Sequence, residues 1–449
     1  MKRTITVLTL IAACALAGSA WAQGDATDAS SDTLKRYYPA PINVQHFRPH
    51  DQRGVGMFEA PKEAGVPYTG FKFQLGAAFT QQFQALHHSN EAVPVIPPPP
   101  APPVNQNQLI TIGSGFNNAV ANLYLDAQLA RGIRVENTIY LSSRHHQETW
   151  VKDGYLLIDG SPWENETLDN LMKILTLRVG HFEINYGDAH FRRTDNGNAL
   201  FNPLIGNYLM DAFTTEIGAE LYARKNGFML MGGATGGEIR GQVTRPNDRA
   251  PSYLAKAGFD RQVNPDLRAR LTASLYETQK SVNNTLYSGS RAGSRYYLVG
   301  ENTAAVENTN AWSGDIRPGF GSKVRSVMVN PFVKWRMIEL FGIAEQTEGR
   351  NANEVDTRKW THLSGEAILW AKGDQFYLAG RYSDATGQLP GIPNDVGASR
   401  TQAGGGWFLT PNIEMKAEYV FQAYRDFPAT DIRSGLKFEG AMVEGVVSF

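Results

Sequence analysis

The sequence predicts an all-β fold: a transmembrane antiparallel β-barrel of about sixteen strands, with short periplasmic turns and long extracellular loops. Three observations predict it. Strand-length stretches alternate apolar and polar residues with a period of two, so each has one greasy face and one wet face. Short turns rich in Gly, Pro, Asn and Asp alternate with long polar loops. The apolar face also continues to the last residue, where Val443, Gly445, Val447 and Phe449 interleave with Met442, Glu444, Val446 and Ser448. A face that stays apolar to the carboxy terminus needs an apolar partner, and in a secreted chain that partner is lipid.

Composition agrees with this reading. A chain of 449 residues fits one large barrel as well as two or three soluble domains. Only 42% of the residues are hydrophobic, and no run of about 20 apolar residues follows the leader, which excludes a helical membrane bundle. The 44 glycines and 11% aromatic residues suit tight turns and interfacial aromatic girdles. Residues 1–22 read as a secretory leader: Lys2 and Arg3, an apolar stretch over 5–17, and Ala20-Trp21-Ala22 as the cleavage signal before Gln23. Without Lys2 and Arg3 the 43 basic side chains become 41 against 44 acidic ones, a net charge near −3 that is too balanced for a nucleic-acid partner. The single cysteine, Cys14, departs with the leader. Ile11-Ala12-Ala13-Cys14 as a lipoprotein site is the competing processing signal.

The order of elements follows. Residues 23–69 contain Pro39, Pro41, Pro49, Pro61 and Pro67, lack sustained periodicity, and are expected to form a periplasmic or lumen-tucked arm; 70–449 form the barrel. The first strand, 71–85, has the sharpest alternation, with Phe71, Phe73, Leu75, Ala77, Phe79 and Phe83 opposing Lys72, Gln74, Thr80, Gln82 and Gln84. Residues 86–116 form an outside loop whose prolines at 97–100 and 102–103 cannot pair in a sheet interior. Strands at 119–129 and 133–143 flank the turn Arg131-Gly132, and strands at 151–158 and 174–185 follow. Residues 187–212 are polar and turn-rich but carry Phe201, Leu204, Ile205 and Tyr208, anchors that a solvated loop does not need. In a barrel the surface available to such anchors is the inner wall, so this stretch is expected to be a constriction loop. Paired strands then follow at 216–224 and 228–234, 253–261 and 267–277, 324–335 and 339–346, 360–371 and 375–384, and 401–409 and 413–424, before the closing strand 434–449. The longest outside loop is 281–322. An even count returns both termini to the periplasmic side.

Residues 175–187, Leu-Thr-Leu-Arg-Val-Gly-His-Phe-Glu-Ile-Asn-Tyr-Gly, together with Trp407-Phe-Leu-Thr-Pro-Asn-Ile413, Tyr419 and the terminal Phe449, resemble the phosphate-selective porin family, porins O and P. The similarity is best over 173–187 and 405–449. It implies sixteen-stranded homotrimers with loops folded inward. The ladder of lumenal arginines and lysines on which the family's phosphate specificity depends has no mapped counterpart here.

Strand phase turns Arg134, Arg178, Arg224, Lys334, Arg336 and Arg381 inward as pore-lining cations, along with Lys256, Arg268 and Arg270. Asp126, Glu136, Glu216, Glu220, Glu366 and Glu444 share that phase. A lumen of both signs can set opposite charges across a constriction, or it can simply hydrate and cross-link the wall. Arg192, Arg193 and Asp195 in the inward loop are the expected constriction residues, and Phe449 the residue of barrel closure. The expected function is an outer-membrane channel for passive diffusion of small hydrophilic solutes, preferring anions; the alternative is a non-conducting structural or surface-binding barrel. Expected partners are outer-membrane lipid, the barrel-assembly machinery and small hydrophilic or anionic solutes.

Other motifs carry little chemistry. His87-His88 and His145-His146 have no carboxylate or cysteine spacing to complete a metal site and read as loop histidines. Gly232-Gly233, Gly236-Gly237 and Gly241 lack the G-K-[ST] of a phosphate loop. No G-x-S-x-G element occurs, and His181 lies well down a strand, so an enzyme is not expected. Neither metal nor cofactor is expected. Cysteines placed at Asn90 and Asn310 should react with an impermeant thiol reagent on intact cells, because both positions fall in outside loops; labelling only after lysis would invert the topology.

Overall fold

A computed structural model describes residues 41–44, 48–60, 62, 67–99, 103–143, 149–237, 245–288 and 296–449. The chain divides into two compact units, 1–38 and 39–449, and all structure below belongs to the second. The expected leader with Cys14 and its expected cleavage signal, His145, His146, Gly241, Pro100 and Pro102 lie outside the described residues.

Sixteen strands make the barrel. They are β1 (Lys72–Ser89), β2 (Val120–Ala130), β3 (Ile133–Ser142), β4 (Trp150–Ile158), β5 (Leu175–Glu183), β6 (Thr215–Lys225), β7 (Phe228–Thr235) and β8 (Ser252–Asn264), then β9 (Leu267–Thr278), β10 (Lys323–Trp335), β11 (Ile338–Arg350), β12 (Arg358–Ala371), β13 (Phe376–Gly387), β14 (Val396–Thr410), β15 (Ile413–Arg425) and β16 (Lys437–Ser448). Each pairs antiparallel with the next, and β1 pairs with β16 from Ala78 opposite Ser448 to Ser89 opposite Lys437. Phe449 completes this seam: its N–H donates to the Ala77 carbonyl at 2.9 Å, and the Ala77 N–H donates to its carbonyl at 2.8 Å. Closure leaves no strand edge to expose unpaired backbone groups to hydrocarbon.

The alternating pattern sorts the side chains as the sequence predicts. Phe73, Phe79, Leu340, Leu363, Leu378, Tyr419, Val443 and Val447 stand on the outer face, where lipid covers them. Tight turns such as Asn226-Gly227, with φ of 53° and 81°, lie on the side of both termini. The β4–β5 connection on that side contains a helix, α1 (Glu166–Met172), which the strand reading did not anticipate. Asn165 caps it, its side chain accepting from the Leu168 N–H at 3.0 Å, and Glu166 and Asp169 stand at the positive end of the helix dipole.

The lumen is filled unevenly. The inner faces of β9–β16 carry Tyr276, Met328, Phe332, Phe341, Trp360 and Phe438, which are buried against Ile205, Tyr208 and Leu209 of the β5–β6 loop in one apolar core. The inner faces of β2–β6 carry Arg134, Glu136, Lys152, Arg178 and Glu220 beside Tyr155, Phe182 and Tyr222. The stretch 281–322, expected wholly outside, instead buries Leu286, Tyr296, Val299, Ile316 and Phe320. Apolar residues at inward phase on β9–β16 offer this loop a surface to cover, so it packs down over the mouth.

The seam predicts its own sensitivity. A charge on the lipid face costs roughly 2–4 kcal/mol near the midplane, so Val443→Glu combined with Val447→Lys, or deletion of Phe449, should abolish the heat-modifiable folded band. A normal yield of folded protein would mean that this face does not meet lipid.

Candidate functional site

The β5–β6 loop, residues 184–214, lies inside the barrel and is tied to walls on both sides. Its tip reaches β1 and β2: the Thr80 hydroxyl donates to the Gly197 carbonyl at 2.7 Å, the Gly197 N–H donates to Asn122 Oδ1 at 2.8 Å, and Asn196 donates to the Ala121 carbonyl at 2.7 Å. A Cβ at Gly197 would meet the Ala121 Cα at 2.5 Å, so no larger residue permits this approach. On the far side, the N–H groups of Ile205 and Gly206 donate to Glu418 on β15 at 2.7 and 3.1 Å. Lys416, paired with Glu444 at 2.6 Å, donates to the Ala199 and Asn202 carbonyls at 2.8 and 3.1 Å. Asp188, at the loop's root, pairs with Arg270 at 2.7 Å and Lys256 at 2.8 Å, which together outweigh burial and hold its carboxyl below the usual range.

The expected constriction residues sit in this loop with their charges already committed. Arg192 donates to Glu366 at 2.6 Å and forms an ion pair with Glu339 at 2.7 Å, and Arg193 clasps Asp211 in a bidentate pair at 2.9 and 2.5 Å. Burial works against both guanidinium ions, yet these carboxylates hold both above the ordinary arginine value. Asp195 accepts from Tyr140 and from Lys152, the latter at 2.5 Å. Lys152 also pairs with Glu183 at 2.8 Å and Asp153 at 3.1 Å, so three carboxylates share one ammonium. Phe201, Leu204, Ile205 and Tyr208 are buried as wall anchors, and the Arg381 guanidinium lies 4.2 Å from the Tyr208 ring centroid.

Beside the loop, against β2–β6, lies a cavity of about 190 Å³. Of the expected pore-lining cations, Arg134, Arg178 and Arg224 line it. Arg178 is paired with Glu220 at 2.5 Å. Arg134 is only 4% exposed, and its Nε and Nη1 have no hydrogen-bond partner among the described residues. Arg224 donates only to neutral oxygens, the Ala60 carbonyl at 2.5 Å and the Thr176 hydroxyl at 3.3 Å. Arg381 lies across the lumen, joined to Glu366 at 2.5 Å. Lys334 pairs with Asp374 of the β12–β13 turn at 2.9 Å. Arg336 is a correction: it occupies the β10–β11 turn at φ 52°, pairs with Asp266 at 3.2 Å and is 64% exposed, because the strand ends at Trp335 and inward phase no longer applies.

Asp159, just past β4 in the cavity lining, is pushed up to about 6 by burial, against the opposing pull of Arg134, Lys62 and Arg224. Lys62 is lowered to about 8 by burial, with Asp159 opposing. The residues missed from the sequence are the lumenal tyrosines that donate to carboxylates: Tyr287 to Glu345 at 2.5 Å, Tyr296 to Glu418 at 2.6 Å and Tyr377 to Glu414 at 2.6 Å. Tyr377 and Glu414 could have been found as inward-phase positions on β13 and β15, either side of β14; the two loop tyrosines carry no periodic signal.

The sequence matches no protein-family profile and no curated protein. Among solved structures, an anion-selective porin from Comamonas acidovorans is similar over 84% of this chain and 100% of its own, with a TM-score of 0.51 at 12% identity. OmpF of Salmonella typhi, solved with daunomycin, aligns over 85% and 98% of the two chains with a TM-score of 0.48 at 14% identity, and OprB of Pseudomonas putida over 85% and 94% with 0.47 at 11%. At these identities the likeness is one of fold. The protein is a closed sixteen-stranded antiparallel β-barrel, with a fold like that of the Comamonas outer-membrane barrel.

Proposed function

We propose that the protein is a diffusion channel for small hydrophilic solutes, with a passage that hugs the β2–β6 wall rather than the barrel axis. The cavity is the observation that supports this most: a volume of about 190 Å³ lined by charged side chains lies against β2–β6, beside an apolar core built largely from β9–β16 and the lumenal loops. That is room for about six waters at ~30 Å³ each, the scale of a hydrated ion or small solute. The Comamonas protein of similar fold is an anion-selective porin, which supports an anion preference here. In this reading anion preference comes from Arg134 and Arg224, because Arg192 and Arg193 are already neutralised in place. At an effective dielectric near 20, a unit charge acts on a passing ion with about 4 kcal/mol at 4 Å. Asp126, Glu136 and Asp159 stand near these arginines and keep the preference modest. The assembly this reading expects is a homotrimer, inserted through its closing strand by the barrel-assembly machinery.

Reversal potentials across planar bilayers in a salt gradient test the assignment. Arg134→Gln with Arg224→Gln should move selectivity toward cations; an unchanged reversal potential in folded protein would remove these residues from the passage. Acidity gives an independent check. As the pH falls through about 6 the Asp159 carboxylate is neutralised, a negative charge leaves the cavity, and anion preference should rise. Asp159→Asn should show the acid-side selectivity throughout and lose this step.

A further inference from the structure

We infer that residues 48–60 form a plug that shuts the periplasmic end of this passage, an inference that rests on the channel reading above. The segment touches wall elements on opposite sides of the barrel. His50 stacks on Tyr124 of β2, with ring centroids 3.6 Å apart and planes at 4°. Gln52 then donates through its N–H to the Pro411 carbonyl at 2.8 Å and through Nε2 to the Asp374 carbonyl at 2.6 Å, both in turns between β12 and β15. The Gly56 carbonyl accepts from Arg268 of β9 at 2.9 Å, and the Ala60 carbonyl accepts from Arg224 of β6 at 2.5 Å. A segment that passes from β2 to the β14–β15 turn and back to β6 has to cross the opening they surround.

The plug is keyed to the constriction loop as well as to the wall. The Arg48 guanidinium lies 3.8 Å from the Phe201 ring centroid and donates to the Phe191 carbonyl at 3.0 Å. Phe58 is 2% exposed and meets Phe191 and Phe332 edge-on at 5.9 and 5.2 Å. Glu59 pairs with Arg270 at 2.8 Å and Lys256 at 3.1 Å. Arg48, Phe58, Glu59 and Ala60 all line the cavity, so the segment forms one of its walls and lies where solute would leave it. Among the described residues none of its bonds to the barrel is a strand ladder; apart from the Glu59 ion pairs, these contacts are ring contacts, the packing of Val55 and Phe58, and hydrogen bonds that involve carbonyls. Such a segment can withdraw without opening the barrel seam, whereas the loop at 184–214 is bonded at both walls.

The triple variant Arg48→Ala, Phe58→Ala, Glu59→Ala leaves the barrel wall untouched, and a deletion of 48–60 provides a second version. Heat-modifiable mobility identifies folded barrel in each. Full-length protein in planar bilayers should show small, infrequent openings, and both variants a severalfold larger conductance. A single thiol at Phe58→Cys should be protected in the full chain and labelled when Arg48→Ala and Glu59→Ala are added. Equal, measurable conductance in full-length and plug-altered protein would overturn the plug and leave the channel standing. Absence of conductance in folded protein of all versions would overturn both.

Discussion

Everything in this molecule depends on the seam between β1 and β16. In hydrocarbon each unpaired N–H or carbonyl costs several kcal/mol, so the sheet has to return on itself, and the last residue is part of the return: Phe449 and Ala77 exchange both backbone bonds. Once the sheet closes, the side chains have only two destinations. The outer set meets lipid and must be apolar; the inner set meets whatever fills the lumen.

What fills the lumen is set by the cost of burying charge. Taking a guanidinium or carboxylate out of water is paid back only by a close partner with good geometry, and the loop across the barrel is built from such pairs: Arg192 with Glu339 and Glu366, Arg193 with Asp211, Asp188 with Arg270 and Lys256. The Arg192 and Asp188 pairs join the loop to strands far apart in sequence and the Arg193–Asp211 pair ties the loop to itself, so it acts as a strut. Where the wall supplies aromatic and aliphatic side chains instead, loop residues such as Ile205 and Leu209 pack into a dry core. Against β2–β6, where Arg134, Glu136, Lys152 and Arg178 stand among Tyr155, Phe182 and Tyr222, a cavity persists.

That asymmetry relocates the electrostatics of passage. A charge that is fully paired and buried presents little field to a solute, whereas Arg134 and Arg224 line open volume and lack carboxylate partners at hydrogen-bonding distance. In the reading proposed above, the selectivity element is part of the barrel wall and the closing element is the segment 48–60.

The sequence by itself determined the architecture. Period-two alternation placed all sixteen strands, from Phe73 and Phe79 outward on β1 to Val443 and Val447 outward on β16, because a strand's side chains have only two directions and lipid admits one kind. It also marked 187–212 as inward through Phe201, Leu204, Ile205 and Tyr208. Only the tertiary structure decided what each charge does. Arg192 and Arg134 are both lumenal arginines in the sequence, yet one faces two carboxylates and the other an open cavity. Strand phase reports the direction of a side chain but not what stands opposite it. Those opposing groups come from loops and from strands up to half the barrel away, and pairing at such separations leaves no periodic trace in the chain.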